Sequence, residues 1–573
     1  MDNHILKQDI LSIYPNKDYH DKIHSIMKKT KEVIFLTEDD GWINSYGDKV
    51  NVGTWDKYSR VATLDNKVEQ RGRLFVIKVN NTIINGNEAV LGNEDVAISI
   101  LGQHDVSLKN FIIENCKLAI YVEFSQEVSI EYISFKENEQ AISINRSSEI
   151  KIKNNSIESS KNSCEGIFIL DSGKIIIQDN DIYIKIITNN IKDNYSGIIT
   201  KNSTSIYIIN NEIKITGGNS EIEGLDYYSV NVYCINSHST YDTLVKANNL
   251  YIKNNTFNLS NCNLVELNFS SIFLESSNSR IDIEENNMVV EFNNINSDYN
   301  EGGIGFYGII YSNENISNSI KNNFISIDSN ICNLNSTLNS VKYNDFIGVL
   351  LNSHNSYNEI NGNQIYLQKN ASSFEQESNN SENFVCGVYF NIDNTTNNLI
   401  DNDFIMKEND IINGDLLITN FSLVYLYYNN ICNTIKENNL NRSQGDGIIL
   451  VSKNDVTEIL GNNIIENVGN GILLSKFKNI DTTNVVTIKG NNIISNEEYG
   501  LYITSGNYLN SIRDNNFISN INKNIYDNNP SEFMNYYESN YYNDWNGEGE
   551  YIIEKSKSID YNSSKNPYNK SDE

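Results

Sequence analysis

A five-residue phrase that returns at regular intervals constrains this chain more than any other feature. Gly461-Asn462-Asn463-Ile464-Ile465 is followed by Gly471-Ile472-Leu473-Leu474, and Gly490-Asn491-Asn492-Ile493-Ile494 by Gly500-Leu501-Tyr502-Ile503. Asp514-Asn515-Asn516-Phe517-Ile518 opens a third copy. Each copy reads as a short apolar strand, a Gly-led second strand and a return strand ending in Asn-Asn. A unit repeated in this way cannot bury its apolar side alone and must stack on its neighbours.

The Asn-type position before each first strand counts the coils. It is placed at Asn110, Tyr132, Asn155, Asp181, Asn211, Asn255, Asn287, Asn323, Asn363, Asp403, Asn439, Asn463, Asn492 and Asn516, with separations of 22 to 44 residues. The shortest separations, 22 to 24 residues, suit three short strands and three tight turns. Alternation such as Ile150/Ile152 and Ile281/Ile283 sends every second side chain inward. Successive coils then stack about 4.8 Å apart through parallel ladders. The expectation is an all-β, single-stranded parallel β-helix, a solenoid of about 14–17 coils. A leucine-rich repeat has a similar period but needs Leu at fixed offsets and a helical limb, and neither is present.

Only 3 prolines occur in 573 residues, so another residue must make the turns. Asn is the candidate, because it tolerates the left-handed conformation and its amide can stack from coil to coil. The formal net charge of −30 argues against nucleic acid or an anionic membrane as partner, and keeps an edge-rich β protein soluble. Seven cysteines are scattered without a CxxC pair, which suits small core fillers better than disulfides or zinc. There is no run of 18 apolar residues and no basic-then-apolar leader after Met1. Neither a membrane span nor a signal peptide is visible, so the expected location is cytoplasmic, or outside the cell by a leaderless route.

Three regions follow. Residues 1–79 form an N-terminal cap and lead-in, with an amphipathic helix expected over 18–31 and an irregular excursion over 37–69 carrying Trp42, Tyr46, Trp55 and Tyr58. His20 and His24 share a helical face there, but no further ligand completes a metal set. Residues 80–527 are the solenoid. Residues 528–573 form an irregular aromatic cap with Phe533, Tyr536, Tyr537, Tyr541, Tyr542 and Trp545, and the last dozen residues are expected to be disordered. Between Asn211 and Asn439 most coils carry roughly 8 to 20 extra residues, mainly at one corner, over 217–227, 293–303, 330–344, 369–384 and 408–415. Insertions at one corner of adjacent coils should form one continuous wall, the candidate functional surface.

The stacked Gly-Asn-Asn-Ile-Ile units, with the tail Ser539-Asn540-Tyr541-Tyr542-Asn543-Asp544-Trp545 and Asn566-Pro567-Tyr568, resemble right-handed parallel β-helix proteins of the NosD-like and pectate-lyase-like superfamily. The resemblance covers about residues 80–525 and implies right-handed coiling, in keeping with the general rule for parallel crossovers. It implies no single activity, since such proteins include lyases, hydrolases, epimerases, tailspikes and non-catalytic surface proteins. The polygalacturonase set is absent, the only Asp-Asp being Asp39-Asp40. The Asp-Pro-His of alginate epimerases cannot occur, because no proline lies between Pro15 and Pro530. Arg146, Arg280, Arg442 and Arg513 are the only arginines of the repeat region, so the basic pair of pectate lyases has no counterpart. Copper handling would want clustered His and Met, of which the chain has 6 and 5. Gly302-Gly303-Ile304-Gly305 starts like a calcium-binding nonapeptide, but Tyr307 stands where the Asp ligand should be. No cofactor is expected, with a structural or substrate-bridging calcium left open.

The wall offers acids beside aromatics, the pairing that sugar binding uses, and glycoside hydrolysis needs two carboxyl groups across a cleft. Candidate catalytic residues are Asp226, Asp298, Glu301 and Glu375, and candidate substrate-binding residues are Tyr227, Tyr228, Tyr299 and Phe374. His238 and His354 follow second-type strands and lack an identifiable partner. Three functions stay open: a non-catalytic carbohydrate-binding or surface-interaction β-helix, a polysaccharide-degrading or -modifying enzyme, and a structural spike or fibre. The expected partner is a polysaccharide or glycan, with monomer and homotrimer both open.

Overall fold

The computed structural model describes residues 32–92, 95–187, 192–223, 227–336, 342–371, 374–376, 382–407, 419–476, 483–530, 534–553 and 555–568. The helix expected over 18–31 lies outside the described residues, as does the insertion at 408–415. The chain divides into two units, 1–187 with 194–216, and 188–193 with 217–573.

In the first unit one coil consists of Val96–Leu101, His104–Lys109 and Ile112–Glu114, and these three strands define faces I, II and III. Parallel pairing puts like on like. On face I, Ile98, Ile120, Ile142, Ile167 and Ile198 stack rung upon rung. On face II, Ile150 lies under Ile175 and Ile206. All are at most 1% exposed, so the core is a dry aliphatic column. Among the described residues six face II rungs from Thr82–Asn85 onward belong to the first unit, and eleven, Tyr241–Lys246 to Ile559–Tyr561, to the second. The segment expected to be irregular over 37–69 is instead β structure. Gly41–Asn44 pairs antiparallel with Glu32–Thr37, and Gly53–Asp56 with Val61–Leu64. Trp42 is buried edge-on against Phe75, while Tyr46 and Tyr58 stand in solvent.

The corners are made by a two-residue device. The buried member is an Asn whose Nδ2 donates to Oδ1 of the equivalent Asn one coil on. In the second unit one row runs through Asn248, Asn286, Asn323, Asn363, Asn402, Asn438, Asn462, Asn491, Asn515 and Asn540, between faces II and III, with Nδ2–Oδ1 distances of 2.9–3.0 Å. A second, between faces I and II, runs from Asn278 through Asn315, Asn355, Asn394, Asn430, Asn454 and Asn484 to Asn507 at 2.9–3.1 Å. In each Asn-to-Asn step the backbone N–H donates to the same Oδ1, as Asn402 N does to Asn438 at 2.9 Å. Every turn amide thus finds an acceptor away from water. In the first unit the corner between faces I and II uses Ser125, Ser147, Ser172 and Ser203 for the same purpose.

The left-handed residue is not the stacked Asn but the one before it: Ala247, Glu285, Asn322, Gly362, Asp401 and Glu437 all have φ of 52–64°. Thr396, before Asn397, sits at φ 55° although it is β-branched. Identity at that position is free because the Asn row, rather than a local preference, holds the turn. The coil markers shift accordingly. Asp181, Asn287, Asp403, Asn439, Asn463, Asn492 and Asn516 lie one residue past the buried row. Asn439, Asn463, Asn492 and Asn516 form an outward row of their own at 2.7–2.9 Å. Asn255 is not a corner: Asn254-Asn255 imitates the true pair, Asn248-Asn249, from within a continuous strand.

That strand shows what the insertions become. Asn249–Ser276 and Asn287–Asn313 each run from face III through the inserted residues into face I without a break. Thr256, Phe257 and Asn258 pair with Asn294, Ile295 and Asn296. In their described parts the insertions of the second unit therefore lie at the corner between faces III and I, as a laddered fin rather than loops. Phe269, Phe292, Phe306 and Phe346 fill its base with ring centroids 4.5–5.5 Å apart. At the far end Asp560 closes the Asn row, with Oδ2 accepting from Asn540 Nδ2 (2.8 Å) and Tyr542 OH (2.7 Å). Tyr568 lies within the dozen residues expected to be disordered, yet it is held to Asn516 by two hydrogen bonds.

Candidate functional site on the outer side of face I

Strand alternation on face I of the second unit turns Val230, Leu267, Phe269, Ile304 and Phe306 into the core. The residues between them point outward, and parallel register sorts them into columns along the axis. One column is Phe273, Ile310, Leu350, Tyr389, Tyr425, Ile449, Leu473, Tyr502 and Tyr526. Beside it run Tyr307, Ile347, Cys386, Ser422 and Asp446. Glycines 308, 348 and 387 separate the two columns. A Cβ on Gly348 would lie 2.6 Å from both Gly387 O and Ile365 Cγ2, so the close approach of faces I and III demands glycine.

The columns merge into an apolar seam in which Tyr307, Ile347, Phe384, Cys386, Tyr389 and Tyr425 are buried, while Phe273, Leu350, Tyr427 and Leu473 pack against it half-exposed. Rings recur along it: Tyr233 stacks on Phe273 at 4.7 Å, Tyr389 meets Tyr425 edge-on at 5.2 Å, and Tyr502 lies 5.4 Å from Tyr526. Polar groups flank it. Tyr227 OH donates to Glu266 Oε2 at 3.1 Å, Tyr307 OH to Asp345 Oδ2 at 3.1 Å, and Asn268 Nδ2 to Asn231 Oδ1 at 3.1 Å. Burial pushes the Cys386 thiol up to about 12 despite the Ser422 hydroxyl beside it. Burial likewise raises the Asp446 carboxyl to about 6, against the opposing pull of two hydrogen bonds from Asn470, with the Glu498 charge adding to the rise.

The residues singled out from sequence are distributed unevenly. Tyr227 stands at the edge of the seam. Tyr228 is 1% exposed and points into the core, so it is not available to a ligand, because the next residue along a strand faces the opposite way. Asp226 lies outside the described residues. Register brings Asp298 opposite Asn335 and Asn335 opposite Glu375, so two candidate acids occupy one position two rungs apart. Glu301 and Tyr227 are related in the same way through Leu264. Tyr299 pairs with Cys262, and Phe374 with Leu334. His238 Nδ1 sits 3.1 Å from Ser276 Oγ and 3.4 Å from Glu275, and His354 Nε2 3.6 Å from Asp393, at exposed corners. Sequence reading missed Glu266, Asp345, Tyr389, Tyr425 and Asp446. A signal existed, since the long column is the second residue after Gly in Gly387-Val388-Tyr389, Gly471-Ile472-Leu473 and Gly500-Leu501-Tyr502. Among the described residues no group of three or more His, Cys, Asp and Glu could hold a metal ion, and no helix is long and apolar enough to cross a membrane.

The family model described as "Right handed beta helix region" matches residues 51–184. The chain is a right-handed parallel β-helix repeat protein. Residues 405–569 of this β-helix match the family described as "Periplasmic copper-binding protein (NosD)". That span contains no histidine, and its only sulfur donors are Met406, Cys432 and Met534, a set that does not fit a copper centre. No curated protein matches the chain. Similar solved structures include PfbA, a surface adhesin of Streptococcus pneumoniae, at 11% identity over 74% of this chain and 83% of that one, with a TM-score of 0.29. The periplasmic alginate epimerase AlgG shares 14% identity over 75% and 77%, at 0.27. A tailspike protein mutant of E. coli bacteriophage HK620, in complex with a hexasaccharide, shares 8% over 88% and 79%, at 0.23. Scores this low carry no functional argument.

Proposed function

We propose that this β-helix binds an extended polysaccharide along the outer side of face I in its second unit, without cleaving it. The observation behind the proposal is the column from Phe273 to Tyr526, which places a ring or aliphatic side chain at every rung and leaves Phe273, Leu350, Leu473, Tyr502 and Tyr526 half-buried at the surface. A rung advances about 4.8 Å, comparable to one sugar along an extended chain, so a polymer lying on the axis would meet the same surface at each residue. Aromatic faces take the sugar rings, and Tyr, Asn, Glu266 and Asp345 beside them supply the hydrogen-bonding groups that hydroxyls require. The test is affinity electrophoresis of the purified chain in gels containing neutral, acidic and amino polysaccharides. Retention is expected for at least one class. Phe273→Ala with Tyr427→Ala should weaken it roughly tenfold, from about 0.5–1.5 kcal/mol per ring. Retention by none, or retention that the double variant leaves unchanged, overturns the reading.

A polysaccharide-modifying enzyme is favoured by one observation, the shared register of Asp298 and Glu375. Two rungs separate their backbones by about 10 Å, close to the roughly 6.5–9.5 Å between carboxyl groups in inverting glycoside hydrolysis. Tyr299 and Phe374 are the sequence neighbours of these acids, and Glu301 is an alternate on the same fin. Release of reducing ends that Asp298→Asn and Glu375→Gln each abolish would establish this second reading.

A further inference from the structure

The charges of the second unit are sorted by face. On faces II and III, carboxylates are met by cations: Asp242 by Arg280 at 2.8 Å, Glu284 by Lys246 at 3.3 Å, Glu359 by Lys321 at 3.4 Å, and Glu291 by Lys253; at the corner between faces III and I, Glu466 is met by Arg442 at 3.0 Å. Face I differs. From Tyr227 to Asp527 its strands contain two lysines on face I, Lys342 and Lys523, and no arginine. At the end bordering face II, the His238 imidazole lies 3.4 Å from Glu275, but the donors seen on Glu266 and Asp446 are neutral, the phenol of Tyr227 and the amide of Asn470. A neutral donor orients a carboxylate but leaves its charge in place, whereas a guanidinium or ammonium cancels it. The outer side of face I is therefore an aromatic strip in a field of negative sign.

We infer that the polymer bound there carries free amines, as a partly or fully de-N-acetylated amino-sugar chain does, and that uronate polymers are excluded. This rests on the reading of face I as a glycan surface and deepens it. Protonated amines of the sugars at the rungs of Glu266 and Asp446, five rungs apart, meet these carboxylates by charge, and the amines between them meet the rings of the seam by cation–π attraction. The carboxylates of a uronate polymer would face like charge with almost no cation to offset it.

The test compares retention, at pH 7.5 and low salt, of the full chain in gels loaded with chitosan oligosaccharide, the fully N-acetylated polymer of matched length, and polygalacturonate. Retention is expected to rise with the fraction of free amine, to be absent for polygalacturonate, and to fall as salt screens the contacts. Glu266→Gln with Asp446→Asn should weaken chitosan retention by up to about fivefold per carboxylate, the upper range for an exposed pair. The chain carries a net charge of −30, so a polycation could adhere anywhere. The control is therefore Asp282→Asn with Glu458→Gln on face II, which should change retention by less than about twofold if the contact is local to face I. Equal losses in the two double variants overturn the inference. So does equal retention of the N-acetylated polymer. If the Phe273→Ala, Tyr427→Ala variant then loses that neutral polymer, the glycan surface stands and only the amine preference falls. If no polymer of any class is retained, the glycan surface itself fails.

Discussion

Asn402 offers the sharpest test of how the solenoid is held together. It is 1% exposed. Its Oδ1 accepts from Asn363 N at 3.0 Å and Asn363 Nδ2 at 2.9 Å. Its Nδ2 donates to Ile360 O at 2.8 Å, Ile400 O at 2.9 Å and Asn438 Oδ1 at 3.0 Å. Asn402→Ala removes all of these. Asn363 Nδ2 keeps Ile320 O and Asn361 O, and Ile400 O keeps the N–H of Gly362. The Asn363 N–H loses its acceptor, at about 1–3 kcal/mol, and the lost bond to Ile360 O adds about 1 kcal/mol, so the expected cost is about 2–4 kcal/mol. Asn402→Asp should be worse. The acceptor for Asn363 survives, but a second carboxylate oxygen replaces the amide and faces Ile360 O, Ile400 O and Asn438 Oδ1, all acceptors. Asn463→Ala, in the half-exposed outward row, should cost less than about 1 kcal/mol. Because a solenoid opens by neighbouring coils, the assay is native-state hydrogen exchange at the Asn363 and Asn438 amides. An Asn402→Ala variant no less protected than Asn463→Ala, or an Asn402→Asp variant milder than Asn402→Ala, would show that the buried Asn row does not hold the coils together.

Gly348→Ala should lower the midpoint of thermal unfolding by several degrees, because its methyl would sit 2.6 Å from Gly387 O, a backbone atom that cannot step aside; an unchanged midpoint would mean faces I and III can separate. Asp446 gives a pH signature. Its folded pKa, about 6, lies above the ordinary 3.8, so the stability it contributes is fully present below about pH 4 and is lost as pH rises through 6. Asp446→Asn keeps an oxygen for Asn470 and cannot ionise. The difference in melting temperature between variant and parent should therefore be smallest near pH 4 and grow in the variant's favour to a plateau above pH 6, whereas a constant difference would place the titration elsewhere.

Much of this molecule was legible in the chain because its order is one-dimensional. Ile98, Ile120 and Ile142 are like residues at a fixed separation, and parallel pairing without a register shift lays them on each other. The insertions were legible for the same reason, since extra residues between the same two strands must emerge at the same corner. Their conformation was not. Asn249–Ser276 reads as strand, loop and strand, and becomes one strand because the segment beside it, Asn287–Asn313, offers a ladder over nearly its whole length. The excursion at 37–69 likewise reads as irregular, whereas its two hairpins are fixed by pairing of Glu32–Thr37 with Arg73–Ile77 and of Val61–Leu64 with Thr82–Asn85 rather than by any period.

By itself, then, the sequence determined a stack of three-strand coils with Asn-bearing corners and oversized rungs on one flank. Tertiary structure alone decided which member of each Asn pair is buried. Both can sit in a turn, but only one points its amide at the acceptor supplied by the coil above. It also decided the candidate surface. Phe273, Tyr389 and Tyr502 lie far apart in sequence, and they fall on one column, three and four rungs apart, only because each coil stacks in register on the next.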